Sequence, residues 1–100
     1  MKAIYKYPIK NEEVQTLMLP KGAEILSIQV QSGSVVLYAI VNPDAEKEKR
    51  VFRCYITGDS VDYGRNDFDN ELKYVGTYML FNQQFVGHFV GHLFEEISKI

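Results

Sequence analysis

One hundred residues, 46% of them hydrophobic and 24% charged, describe one folded domain over 1–100, too apolar for disorder and too short for a second core. Eleven basic against thirteen acidic side chains leave a net charge of −2, so no overall field draws nucleic acid or an anionic membrane, and direct nucleic-acid binding is not expected. The longest apolar stretch, Val35 to Val41, falls far short of the roughly twenty residues of a spanning helix.

Taken in chain order, the pattern is that of an all-β chain. Residues 2–9 place Ala3, Tyr5, Tyr7 and Ile9 on one face of a strand, and Pro8 marks an edge or an end because it cannot donate to a ladder. A second run, 14–19, closes at Pro20-Lys21-Gly22, a turn signal. Over 24–31, Leu26, Ile28 and Val30 alternate with Ser27, Gln29 and Gln31. Ser32-Gly33 then turns the chain into the nearly continuous apolar run Ser34 to Asn42, so a hairpin with a central second arm is expected. Asp44 to Arg50 reads as a solvated charged connection.

Residues 50–57, 72–81 and about 84–94 supply three further strands. In the second of these, Leu72, Tyr74, Gly76, Tyr78 and Leu80 share one face. Six to seven short strands predict a small antiparallel sandwich or partly closed barrel. The tail Leu93 to Ile100 is the one helical candidate, at most two turns. The connection over 58–71 is longer than a hairpin needs and strongly acidic, a length at which loops are often functional.

The N-terminus carries lysines but no apolar core of a signal sequence, and no secretory signal is expected. Cys54 is the only cysteine, so no internal disulfide forms and a cytoplasmic, reducing setting is the simple expectation. Cys54 shares a strand face with Phe52 and Ile56 and reads as a small buried hydrophobe. The sharper alternative is a thiolate helped by Arg53 with His88 or His92 as base.

Other side chains are candidate contacts for a partner or ligand. Arg53 and Tyr55 share a strand face and suit stacking on a nucleotide-like ligand. Asp62, Tyr63, Arg65, Asp67 and Asp69 lie in the long loop, whose negative charge would suit a basic protein surface. Asp67 to Glu71 lacks the glycine and distal glutamate of a calcium loop. His88 and His92 on a helix would share a face, but the neighbouring glycines and aromatics favour a strand. There the two Cα atoms stand about 13 Å apart, too far for one metal ion. Seven tyrosines and no tryptophan supply either cross-strand packing or an interface. Phosphate-binding glycine loops, Cys-x-x-Cys and the serine nucleophile motif are missing, and neither a cofactor nor an enzymatic activity is expected.

Met1-Lys-Ala-Ile-Tyr-Lys-Tyr-Pro-Ile9, Leu19-Pro-Lys-Gly-Ala23, Ile25-Leu-Ser-Ile-Gln-Val-Gln31 and Leu37-Tyr-Ala-Ile-Val-Asn-Pro43 form an ordered set. They are followed by Arg50-x-Phe-Arg53 with Thr57-Gly58, Tyr74-Val-Gly-Thr-Tyr78 and His92-Leu-Phe-Glu95. This combination, spanning nearly the whole chain, resembles a family of roughly hundred-residue proteins of unknown function encoded by phages and prophages. The long acidic loop and the second glycine-histidine pair depart from that pattern. The resemblance brings no catalytic residues. It implies an accessory product that binds a host protein in the host cytoplasm and inhibits a defence factor, as a homo-oligomer. A sponge for a small nucleotide signal and a virion decoration protein are the alternatives.

Overall fold

Valine, isoleucine, tyrosine and phenylalanine crowd between turn residues, and each such run becomes a strand. The structure, a computed structural model, describes residues 1–61, 71–82 and 87–97, apart from the side chains of 82, 87 and 88. The strands are β1 (Ala3–Ile9), β2 (Val14–Pro20), β3 (Glu24–Gln31), β4 (Ser34–Val41), β5 (Lys47–Ile56), β6 (Glu71–Asn82) and β7 (Gly87–Ile97). Every pairing is antiparallel. They form a sandwich of a three-stranded sheet, β1-β4-β3, and a four-stranded sheet, β2-β5-β7-β6.

Local chemistry accounts for the three-stranded sheet. Ser32 and Gly33 both take positive φ, 50° and 79°, the geometry that matches the strand twist in a two-residue hairpin. β4 lies between β1 and β3, so its apolar run is covered on both sides of the ladder. Pro8 falls on the edge strand β1, where its missing N–H costs no ladder bond. Between the sheets lies the core, in which Leu19, Leu37, Val41, Phe52 and Leu93 are wholly buried.

Two bulges on facing strands change the alternation. In β3 the register shifts between Ile25 and Ser27, so Ile25 and Ile28 face the core while Leu26 is turned outward, 44% exposed. In β6 it shifts between Tyr74 and Gly76, and Val75 packs inward while Tyr74 goes out. Expecting Leu26 with Ile28, and Tyr74 with Tyr78, on one face is therefore wrong at both places. An extra residue flips the side-chain phase, and period-two counting does not register it. The bulged strands meet at Gly76, where a Cβ would stand 2.5 Å from Cγ2 of Ile28.

Two further expectations need correction. The charged segment read as a connection enters β5 at Lys47, which pairs with Pro20, because β2 needs a partner along its whole length. The helical reading of the tail fails: β7 continues as strand through Ile97. Phe94 there is paired with Arg53 on one side and Tyr74 on the other, and two ladders outweigh a marginal helix. The described residues contain no helix, and none long and apolar enough to cross a membrane.

Candidate functional site: the outward face of the four-stranded sheet

Strand alternation gives β5 and β7 an inward and an outward set, and the register aligns the outward residues in rows across the sheet. One row runs Val14, Arg53, Phe94, Tyr74. The next runs Tyr55, His92, Thr77, and Val90 stands beside Met79 beyond it. The ring of Phe94 is the hub. Tyr55 and Tyr74 approach it edge-on, with centroids 5.7 Å and 5.4 Å away. Such T-shaped pairs add about 0.5–1.5 kcal/mol each beyond burial and hold the rings in place.

Polar groups knit the same surface together. Thr57 Oγ1 lies 2.9 Å from Nε2 of His92, and Thr77 Oγ1 lies 3.0 Å from Nδ1. The Tyr74 hydroxyl closes the chain, 2.6 Å from Thr77 Oγ1. Arg53 donates from Nε to Glu96 at 2.6 Å, and this bond above all holds the guanidinium pKa up. The face thus carries its own counter-ion. Around this centre Tyr74, Met79 and Phe81 are each more than half exposed, at 57%, 54% and 63%.

Of the side chains singled out from sequence, Arg53, Tyr55 and His92 come together here. Asp62, Tyr63, Arg65, Asp67 and Asp69 lie outside the described residues. His88 occupies a strand position opposite Phe81, but its side chain is also outside them. Phe94, Tyr74, Thr77 and Met79 escaped the sequence reading. Phe94 sat in the supposed helical tail, and the β6 bulge hid Tyr74; continuing the alternation of His92 to Glu96 would have found Phe94.

The cysteine–histidine alternative is not supported by the geometry. Cys54 is buried on the inward face, its Sγ 3.2 Å from the Tyr78 hydroxyl, which itself donates to Asn11 Oδ1 at 3.1 Å. Burial first, and then the hydrogen-bond contact with Cys54, raise the Tyr78 pKa strongly. His92 projects from the opposite face, because it aligns with Tyr55 and not with Cys54. Strand alternation separates the two groups by the thickness of the sheet.

The inward face has a polar feature of its own. A cleft of about 420 Å³ opens beside the two bulges, bordered by Ala23, Ile25, Arg50, Lys73, Val75 and Glu95. Arg50 grips the buried Glu95 carboxylate in a fork, with Nη2 to Oε1 at 2.8 Å and a second bond from Nε to Oε2. Its Nη1 donates to the Ala23 carbonyl at 2.9 Å. The carboxylate already fills the position an anionic ligand would take. Among the described residues, no three His, Cys, Asp or Glu side chains converge as metal ligands.

Residues 1–99 match a family described as a domain of unknown function (DUF7352). The chain belongs to that family. The match covers the same span as the resemblance noted from sequence and shares its unknown function; its description gives no origin. No curated protein and no solved structure matches the chain. Family membership therefore assigns no site, and the outward face stands on its geometry.

Proposed function

We propose that the protein acts by stoichiometric binding to a protein surface, with the outward face of the four-stranded sheet as its contact. The observation that supports this most is the exposed band Tyr74, Met79 and Phe81 beside the Tyr55–Phe94–Tyr74 ring cluster. An antiparallel sheet in a sandwich ordinarily turns polar residues to water on its outer side. This one turns out aromatic rings, methionine and arginine, the residue types enriched at the centres of protein interfaces. The rings are already fixed by one another and by the ladder, so little side-chain freedom is lost on docking.

The resemblance to phage-encoded proteins adds the finer reading: the partner is a host defence factor in the cytoplasm, disabled by occupancy. The nucleotide-sponge alternative rests on Arg53 and Tyr55, and it has less support because Glu96 already engages Arg53.

Photocrosslinking in cells tests the contact surface. A benzophenone residue in place of Tyr74 is expected to give covalent protein adducts, whereas the same residue in place of Gln29, outward on the other sheet, gives none. No adduct from position 74, or equal yields from both positions, would overturn the reading.

A further inference from the structure

We infer that the partner of the outward face is an acidic protein surface. Its carboxylates meet a basic corner at Lys47 and Lys49, while its apolar residues meet Tyr74, Met79 and Phe81. The inference rests on the contact surface proposed above and adds the charge of its partner.

Strand alternation places the corner. Phe52 and Cys54 are buried in the core, so Arg53 and Tyr55 face outward. Counting back along β5 puts Lys49 and Lys47 on that same side. Both lysines are exposed, and β2 sets Met18 and Pro20 opposite them, neither able to neutralise an ammonium. Glu48 between them turns to the other side and accepts from the Gly22 N–H at 2.8 Å. The ion pairs among the described residues are Arg50–Glu95 and Arg53–Glu96, and neither involves these lysines.

Charge on this face therefore runs against that of the chain. Among the described residues, the outward positions of the four strands carry three cations, Lys47, Lys49 and Arg53, against one anion, Glu96. That is a net of +2 on a chain whose total is −2, which leaves −4 elsewhere. A contact face opposite in sign to its own molecule selects an acidic partner and turns basic ones away. Arg53, next to the rings, is already held by Glu96, so the uncompensated charge stands at one end of the face. Lys49 and Tyr74 lie about 16 Å apart between Cα atoms, from two strand spacings and four residues of rise. A single nucleic-acid strand stacked on the rings would leave its phosphates there without free cations. A protein surface with an apolar centre and an acidic margin matches both ends, as the core and rim of an interface do.

Photocrosslinking in cells, with a benzophenone residue in place of Tyr74, tests the charge of the partner. Lys47→Glu/Lys49→Glu is expected to lower the adduct yield at least about fivefold, with the β-sheet circular dichroism spectrum unchanged. Lys2→Glu/Lys10→Glu makes the same charge change on exposed lysines elsewhere and should leave the yield at the wild-type level. Should the reversed variant not fold, Lys47→Gln/Lys49→Gln gives a second reading, with the yield lowered about twofold or more. A benzophenone residue in place of Met18, beside Lys49, should join the same protein through a peptide rich in Asp and Glu. Adducts whose yield ignores the two lysines, or falls equally with Lys2→Glu/Lys10→Glu, overturn the acidic partner and leave the contact surface standing. Adducts that nuclease removes overturn it in favour of a nucleic acid. The absence of any adduct from position 74 overturns the contact surface itself, and this inference with it.

Discussion

Two arginine–glutamate pairs join β5 to β7, and they sit on opposite faces of the same sheet. Arg50–Glu95 points inward, with side chains 17% and 5% exposed, and closes the gap between the sheets beside the bulges. Arg53–Glu96 points outward, at 34% and 10%, among the aromatic rings. The chemistry is the same and the surroundings are not. The inward pair has exchanged water for a fork of hydrogen bonds and a backbone carbonyl, so losing one partner strands a buried charge. The outward pair keeps more water, chiefly at Arg53, and is expected to contribute less than the inward one. It gives the Arg53 guanidinium a partner beside the aromatic rings. A sheet can thus use one type of ion pair toward its interior and on its outward face, separated only by the alternation of side chains.

The sharpest way to break this contrast is Glu95→Ala. Leaving Arg50 buried without its carboxylate should cost about 3–5 kcal/mol in urea unfolding; a cost no larger than that of Glu96→Ala would show the two pairs to be equivalent. Next comes Gly91→Ala, on the inward face of β7. The Tyr78 ring lies over this glycine, and a Cβ would stand 2.5 Å from Cζ. Overpacking a rigid ring should cost about 1–3 kcal/mol, read by thermal or urea unfolding.

Tyr78→Phe keeps the ring and removes the hydroxyl between Cys54 and Asn11, with an expected loss of about 1 kcal/mol. This variant also carries a pH signature. The folded chain holds the Tyr78 proton more tightly than the unfolded chain does, since burial raises its pKa. That contribution is complete below the unfolded value near pH 10 and is lost as the pH rises beyond it toward the folded value. Unfolding midpoints of the wild type should therefore fall above about pH 10, and those of Tyr78→Phe should fall less steeply.

On the outward face the effects shrink. Glu96→Ala should cost less than about 1 kcal/mol, and less still at high salt. Tyr74→Lys should leave stability within about 0.5 kcal/mol of wild type. A large loss there would make the outward rings part of the fold's support and weaken their claim as a contact surface.

Much of the architecture was legible because strands advertise themselves locally. The Ser32-Gly33 hairpin, the edge position of Pro8 and the burial of Cys54 each follow from one residue's conformational or solvation preference. Of the site, Arg53, Tyr55 and His92 were visible as polar or aromatic residues on predicted strands. Phe94 and Tyr74, which complete it, were not. One belongs to a segment whose strand form depends on two neighbours, and the other to a strand whose phase changes at a bulge.

Local preferences were enough for an all-β chain with turns at defined places and alternating faces, because φ/ψ preference and side-chain alternation act over a few residues. Which strands share a sheet, where the bulges at Leu26 and Val75 shift the phase, and the meeting of Tyr55, Tyr74, His92 and Phe94 on one face came from the folded pairing. Those outcomes depend on ladders between segments far apart in the chain, whose energies no local pattern contains.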